Sequence, residues 1–187
     1  MDVPPSPTAE EKAQFYAAVG RAITDWANLE KELFEITAAI LGCAKRHSAI
    51  VFYRTPTIDS RLTLTNDLVE SIFPAHAPGE HPSPTLKEWR RLQSDIKTKL
   101  KIRNWLAHHP IDQIVDIYES KDGQEHKIEI RPASYISHTA HLRSPKESPQ
   151  ILVLTKVQDH IKVVSGLVDR LRRFIPKLSE QLQAHVE

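Results

Sequence analysis

The chain has 187 residues, of which 40% are hydrophobic, and a formal net charge of +1. This length suits one domain with its own core, and the hydrophobic share excludes a chain that is disordered throughout. The small net charge hides an asymmetry. Residues 1–42 carry seven acids and three bases, whereas residues 85–109 carry seven Lys or Arg and two acids. This uneven distribution of charge is expected if one face of the protein binds an anion and another binds a partner. Ordinary solvated helix faces explain it equally well.

One cysteine, Cys43, excludes an internal disulfide and fits a reducing compartment. Its small apolar neighbours favour a structural role over nucleophilic catalysis. The amino-terminal MDVPPSPT contains no basic or apolar signal region, and no apolar run approaches the ~18 residues that a membrane span needs. We therefore expect a soluble, cytoplasmic protein that does not associate with membranes.

The first long helix is predicted to follow a flexible lead, residues 1–8. Thr8 and Glu11 form a capping box, and Gly42 stops the helix. Between them one apolar stripe keeps helical spacing: Phe15, Val19, Ala22, Trp26, Leu29, Leu33, Ile36 and Ile40. Glu30 lies at the edge of this stripe. It can pair with Arg103 across the bundle or remain a solvated glutamate at the rim.

Two shorter helices are predicted next, over 48–53 and 58–72, with Pro56 between them. Thr57 or Asp59 can cap the second of these helices. Residues 74–84 form a loop by composition, since they include four prolines.

The third long helix is predicted over 85–109. Its core stripe consists of Leu86, Trp89, Leu92, Ile96, Leu100 and Ala107. Arg103 and Asn104 lie on the two shoulders of this stripe, which suggests a cleft or a subunit interface because sealing such groups in a core is costly. Trp105 points away from the stripe, where it can form a dimer contact or a base-stacking platform.

After Pro110 the hydrophobic period changes. Alternating and β-branched residues around Lys121-Asp122-Gly123-Gln124 predict a β-hairpin arm over 111–131. Residues 132–150 form an irregular loop. A capping box of Thr155 and Gln158 then starts the last helix, which runs to about Leu182 and is kinked at Pro176. The sequence therefore predicts one all-α domain over 1–187, with a β-hairpin inserted between the third and fourth long helices.

The end of the third helix carries the candidate chemistry. Arg103 can hold a phosphate, His108 can move protons near neutral pH, and Asn104, four residues earlier, can orient the imidazole. Arg103 and His108 are about 140° apart on an ideal helix, so they converge only if Pro110 deforms the last turn. The basic residues that precede the motif are candidates for contacts with RNA: Arg90, Arg91, Lys97, Lys99 and Lys101.

The string Arg103-Asn104-x-x-x-His108 resembles the signature of HEPN domains, small all-α modules that cleave RNA or bind nucleotides. The resemblance implies an antiparallel four-helix-type bundle and a homodimer in which two motifs face a shared cleft. Active members cut RNA without a metal, and many serve as toxins or in antiviral defence. Some branches place a Tyr two residues after the His, and Pro110 stands there instead. The Tyr-dependent chemistry therefore does not carry over.

The resulting hypothesis is a metal-independent endoribonuclease that leaves a 2′,3′-cyclic phosphate. His108 acts as general base or acid, Arg103 stabilises the phosphorane-like charge, and Glu30 and His109 support them. RNA, a second copy and an antitoxin or regulatory protein are the expected partners, and no cofactor or metal is expected. His138-x-x-His141 could ligate a metal but has no third ligand in sight. The alternative function is a non-catalytic HEPN-like dimer that binds RNA, nucleotide or a protein.

Overall fold

The structure, a computed structural model, describes residues 8–73, 82–108 and 152–184, together with four short strands between 111 and 130. This part of the chain is predominantly helical, which agrees with an all-α fold. The helices are α1 (Ala9–Leu41), α2 (Lys45–Arg54), α3 (Ile58–Ser71), α4 (Pro84–His108) and α5 (Leu154–Ala184). None of them combines the length and apolar character that a membrane crossing requires.

Helix α1 has both predicted ends. The backbone N–H of Thr8 donates to Glu11 Oε2 at 2.7 Å, and the N–H of Glu11 donates to Thr8 Oγ1 at 3.2 Å, which is a reciprocal capping box. Gly42 follows the last turn with φ of 60°, and its N–H donates to Ala38 O at 3.2 Å. A residue with a Cβ is disfavoured in that left-handed conformation, so glycine suits the end of this helix.

The caps of the later helices follow the sequence in part. Thr57 caps α3, because its side chain accepts a hydrogen bond from the N–H of Ser60 at 3.1 Å. Ser83 accepts from the N–H of Leu86 at 3.1 Å at the start of α4. The predicted cap at Thr155 is wrong, because α5 begins one residue earlier, at Leu154. That helix contains Pro176 and ends at Ala184, within two residues of the predicted end at about Leu182.

The described residues include five two-residue strands: β1 (Ile111–Asp112), β2 (Glu119–Ser120), β3 (Gly123–Gln124), β4 (Glu129–Ile130) and β5 (Leu152–Val153). Strands β2 and β3 pair antiparallel, and β4 pairs antiparallel with both β1 and β5. The hairpin arm over 111–131 stays a prediction, because most of its residues lie outside the described ones. The irregular loop predicted over 132–150 lies wholly outside them, as do residues 1–7 and His109.

The chain divides into two compact units. We call Met1–Thr24 with Lys101–Lys162 the motif unit, and Asp25–Leu100 with Val163–Glu187 the core unit. Whether they make up the single predicted domain stays a prediction. Apolar side chains from all five helices form the cluster of the core unit. It includes the fully buried Trp89, Phe174 and Phe52. The aromatic rings of Trp89 and Phe174 lie 5.6 Å apart between centroids.

Several polar groups inside the core unit form hydrogen bonds with one another. Thr65 Oγ1 donates to Arg61 O at 2.9 Å and therefore accepts from Thr37 Oγ1, 3.0 Å away. Trp89 Nε1 donates to Asn66 Oδ1 at 3.1 Å. These bonds offset the desolvation cost that unpaired groups would incur at fully buried positions.

The motif unit has a smaller cluster. Its buried members are Phe15, Val19, Ala22, Leu106 and Val157, and five partly buried residues pack against them: Ala18, Ile102, Trp105, Leu154 and Ile161. The cluster therefore joins the first half of α1, the end of α4 and the start of α5. Because Leu106 belongs to this cluster, its packing determines which side of the end of α4, and so which residues of the candidate motif, face outward.

Candidate functional site

The last turns of α4 present the motif with Leu106 turned inward. Leu106 is 5% exposed, whereas Ala107 is exposed. The predicted stripe is confirmed from Leu86 to Leu100 and wrong at Ala107. At the end of α4 the buried residue is Leu106 instead of Ala107. Within the motif unit, Leu106 belongs to the cluster that contains Phe15 and Val19, and packing on that cluster selects it.

Arg103 and Asn104 contact each other. Arg103 Nη1 donates to Asn104 Oδ1 at 3.2 Å, with Arg103 partly buried and Asn104 exposed. This bond orients one edge of the guanidinium. It leaves the Asn104 amide nitrogen as the group that can donate to an imidazole or to a ligand.

His108 is exposed at the last helical position. With Leu106 turned inward, the helical twist of about 100° per residue places Lys101, Asn104 and His108 together on the outward side. In the described part of the chain no hydrogen bond joins Asn104 to His108, and the Asn104 oxygen bonds Arg103 instead. The orienting role predicted for Asn104 would therefore use its amide nitrogen.

Helix α4 continues through His108. The sequence allowed Arg103 and His108 to converge if the last turn deformed, and both residues lie within α4. The two side chains therefore leave the helix about 140° apart, with Arg103 toward the packed side and His108 toward the outward side. On a regular helix the two side chains therefore start in diverging directions.

Trp105 is less free than the sequence indicated. Its ring packs against the cluster of the motif unit, and Lys101 Nζ lies 5.9 Å from the ring centroid. This cation–π distance orients the lysine along the outward side of α4. The indole therefore supports the helix end, and a stacking or dimer role for it stays a prediction.

The candidate RNA-binding cations differ in their availability. In the core unit, Arg90 Nε and Nη2 donate to the two carboxylate oxygens of Glu70 at 3.0 and 3.1 Å. This pair raises the pKa of Arg90 and lowers the pKa of Glu70 below its ordinary value. Arg90 is thus partly neutralised. Arg91 and Lys97 are exposed, and Lys99 is partly buried.

Glu30 has a partner that the sequence did not indicate. Arg61 Nη1 donates to Glu30 Oε2 at 2.7 Å, and both side chains are largely buried. The Arg61 guanidinium also lies 5.7 Å from the Phe52 ring and 5.5 Å from the Tyr53 ring. No local pattern marks a pair 31 residues apart, so only tertiary structure reveals it. The predicted pair of Glu30 with Arg103 would join residues of two separate units and stays a prediction.

Comparisons with known proteins return no match. No family model matches the chain, and neither the curated proteins nor the solved structures contain a similar one. The candidate site therefore stands on its own residues and on the resemblance of its motif.

Proposed function

We propose that the end of α4 provides half of a metal-independent endoribonuclease site, and that a second copy of the chain provides the other half. The angle between Arg103 and His108 carries this proposal. A cation and an imidazole that diverge on one helix can act on the same phosphate if each meets the complementary group of a second copy. Two copies related by a twofold axis would form two such pairs. We infer a HEPN-like antiparallel bundle as the scaffold.

The chemistry would be transfer of the phosphoryl group to the neighbouring ribose oxygen. His108 of one copy removes the proton of the 2′-OH, the 2′-oxygen attacks phosphorus, and the bond to the 5′-oxygen breaks. Solvent protonates the leaving 5′-oxygen, and His108 returns the proton that it took to solvent. The products are a 2′,3′-cyclic phosphate and a 5′-OH.

Arg103 would stabilise the charge that develops on the phosphoryl oxygens through paired N–H donors. The 3.2 Å bond to Asn104 supports this role, because it orients the guanidinium. Asn104 would orient His108 through its amide nitrogen. Exposed Lys101, held near the Trp105 ring, would contact the RNA backbone, and Lys97, Lys99, Arg91 and Arg90 would extend these contacts along α4.

The test is cleavage of RNA by the purified protein in excess chelator. We expect cutting that falls roughly 10²–10⁴-fold in His108→Ala, the usual contribution of a general acid or base. His47→Ala is the matched control, since His47 is an exposed histidine on α2 of the core unit. Unchanged cutting by His108→Ala would contradict the proposed role.

Mixing inactive chains tests the second copy. Arg103→Ala and His108→Ala chains, refolded together, should regain about a quarter of the original activity, because half of the dimers are mixed and each has one intact site. Each variant refolded alone should stay inactive. No recovery in the mixture would contradict a site shared between copies.

A second candidate function is binding of RNA, nucleotide or a protein partner without cleavage. The Lys101–Trp105 pair favours it, since a cation beside an indole suits contact with a nucleic acid and needs no catalysis. An antitoxin or regulatory protein is then a partner to search for. This function predicts that Lys101→Ala weakens RNA binding while no variant cleaves RNA.

A further inference from the structure

Helix α2 of the core unit has an outward face that is apolar. Six large apolar side chains are substantially exposed in the described part of the chain, and three of them lie in this ten-residue helix: Ile50, Val51 and Tyr53, which are 46% to 52% exposed. Ile50 is two residues from each of the buried Ser48 and Phe52, and it therefore points about 160° away from both. Clustered exposed apolar side chains of this kind usually mark a binding surface.

Two arginines flank Ile50 on the same side of this helix. Arg46 precedes Ile50 by four residues and Arg54 follows it by four, and both are exposed. Neither arginine forms an ion pair with another described residue, and residues 42–58 contain no acid. At 1.5 Å per residue the two arginines are about 12 Å apart along the helix axis. We call the surface that combines these features the α2 face: Arg46, Ile50, Val51, Tyr53 and Arg54.

Polar contacts at both ends hold α2 in place, although only two of its residues are buried. At the carboxyl end Arg61 Nε donates to Thr55 O at 3.0 Å, while Arg61 Nη1 donates to Glu30 Oε2 at 2.7 Å. At the amino end Lys45 Nζ donates to Glu35 Oε2 at 2.7 Å. A largely buried ion pair thus fixes a helix that adds little to the core. A fixed helix suits a surface that binds a partner, because less conformational freedom is lost on binding.

We propose that the α2 face binds an acidic amphipathic helix of a different protein, in which an apolar residue has one carboxylate four residues before it and another four residues after it. Such a helix, laid along α2, sets its two carboxylates about 12 Å apart, which is the spacing of Arg46 and Arg54. Its apolar residue then packs on Ile50. Arginine forms strong charge-assisted hydrogen bonds with carboxylates. Arginine and tyrosine are also enriched among the residues that dominate binding between proteins.

The chemistry of the α2 face disfavours RNA and a lipid surface as its ligand. The centre of the face is aliphatic at Ile50 and offers no ring on which a base could stack. The Tyr53 ring already packs against Phe34 and Phe52, at 5.5 and 5.1 Å between centroids. Helices that lie on membranes separate an apolar face from a charged one. Here both arginines share the side of Ile50, so the face does not have that arrangement.

A second copy of the chain and an extended peptide are also disfavoured. Twofold pairing of the α2 face with itself would bring the arginines of one copy near those of the other, and like charges repel across an interface. An extended segment would find no partners for its backbone N–H and C=O groups, because the backbone of α2 is bonded within the helix. The inference does not rest on the proposed ribonuclease function, because peptide binding is measured without RNA.

Fluorescence anisotropy with a synthetic helical peptide tests the charges. The peptide is rich in alanine and has one glutamate four residues before a leucine and another four residues after it, and a matched peptide has glutamine at both places. The glutamate peptide should bind the original chain about tenfold or more tightly than the glutamine peptide. Arg46→Glu with Arg54→Glu should remove this preference and favour a lysine peptide instead. Lys31→Glu with Arg173→Glu is the matched control, because both cations are exposed in the core unit and the net charge changes equally.

A second pair of variants tests the apolar contact. Ile50→Ala should weaken binding of the glutamate peptide, and Val163→Ala, at a 41% exposed apolar residue of α5 in the core unit, should leave it unchanged. Thermal melts of all variants should match that of the original chain. If the double charge reversal unfolds the chain, Arg46→Gln with Arg54→Gln gives the same comparison.

Three results would overturn the proposal. The first is no binding of the glutamate peptide by the original chain. The second is a preference for glutamate that survives the reversal of Arg46 and Arg54, or that the control pair removes equally. The third is a loss of binding to single-stranded RNA or to phosphatidylserine vesicles in the reversed variant, with no effect on the peptide, which would assign the α2 face to that ligand instead.

Discussion

The two compact units differ in how much apolar surface they bury. The described part of the core unit has 22 buried apolar residues in its cluster, and that of the motif unit has five. Burial of apolar area is the main source of folding free energy, so most of the stability lies in the core unit. The candidate chemistry lies in the unit with the smaller cluster. Regions with few buried contacts open more readily, as surfaces that bind partners often do.

Ion pairs do not change this contrast. In the core unit Arg172 Nε contacts Glu32 Oε1 at 2.9 Å, and Arg170 Nη1 contacts Asp95 Oδ2 at 2.7 Å. The arginines of both pairs remain substantially exposed, and exposed pairs contribute roughly 0–1 kcal/mol each. Glu32 is itself buried, so Arg172 serves mainly to satisfy a carboxylate that would otherwise be costly there.

The largest effect is expected from Trp89→Ala in the core unit. Trp89 is fully buried, stacks near Phe174 and donates a hydrogen bond to Asn66. Removal of the indole leaves a cavity, and the free energy of unfolding should fall by about 3–5 kcal/mol. Equilibrium denaturation measures this change.

Trp89→Phe is the control for that variant. It keeps a ring near Phe174 and removes the bond to Asn66, so the expected loss is about 1–2 kcal/mol. A loss below 1 kcal/mol for Trp89→Ala would contradict the assignment of the main core to this unit.

A matched pair on α4 sharpens the comparison between the units. Leu100 is 8% exposed and belongs to the core unit, whereas Leu106 is 5% exposed and belongs to the motif unit. Leucine-to-alanine changes in cores cost about 2–5 kcal/mol, and the cost is smaller where the surroundings can collapse. We expect Leu100→Ala to lie in the upper half of that range and Leu106→Ala near its lower end.

Hydrogen exchange distinguishes the two leucine variants further. Leu106→Ala should increase amide exchange in 9–24 and 101–108 while α3 stays protected, because local opening is confined to the smaller unit. Leu100→Ala should lower protection in α3 as well. Equal changes in both variants would show that the units open together.

The sequence predicted the helices of the described residues well, because periodicity and caps act locally. The stripe of α1, its capping box and its glycine end are all confirmed. The errors arise where tertiary contacts decide. Ala107 was assigned to the core, and Leu106 occupies it, because α4 packs on a second cluster after Leu100. The pairing of Glu30 with Arg61 has no local signal either.

The candidate site was predictable as a set of residue types and only partly as geometry. The sequence indicated an arginine, an amide and a histidine at a helix end, and α4 presents all three there. It did not determine which group the Asn104 oxygen accepts from, since that depends on rotamers. It also left open whether the last turn deforms, which decides whether one chain can direct Arg103 and His108 at the same phosphate.

The smallest expected effect concerns Glu70 and Arg90 in the core unit. The hydrogen bond from Arg90 lowers the pKa of Glu70 below its ordinary value. Its stabilising contribution is therefore present above the unfolded pKa and lost as pH falls through the folded value. The side chains are 39% and 47% exposed, so solvent screening limits the contribution to about 0.5 kcal/mol.

Glu70→Gln should remove this pH-dependent part of the stability. For both chains the free energy of unfolding is measured at pH 7 and at pH 3. The difference between the two pH values should be about 0.5 kcal/mol smaller in the variant than in the original chain. Glu35→Gln is the matched control, since Glu35 also pairs with an exposed cation, Lys45, at 2.7 Å. If 0.5 M salt fails to reduce the effect of Glu70→Gln, the pair acts through packing rather than charge, since salt screens exposed pairs. Arg90 loses its carboxylate partner in this variant. If the variant binds RNA more tightly than the original chain, Arg90 belongs to the RNA-binding surface.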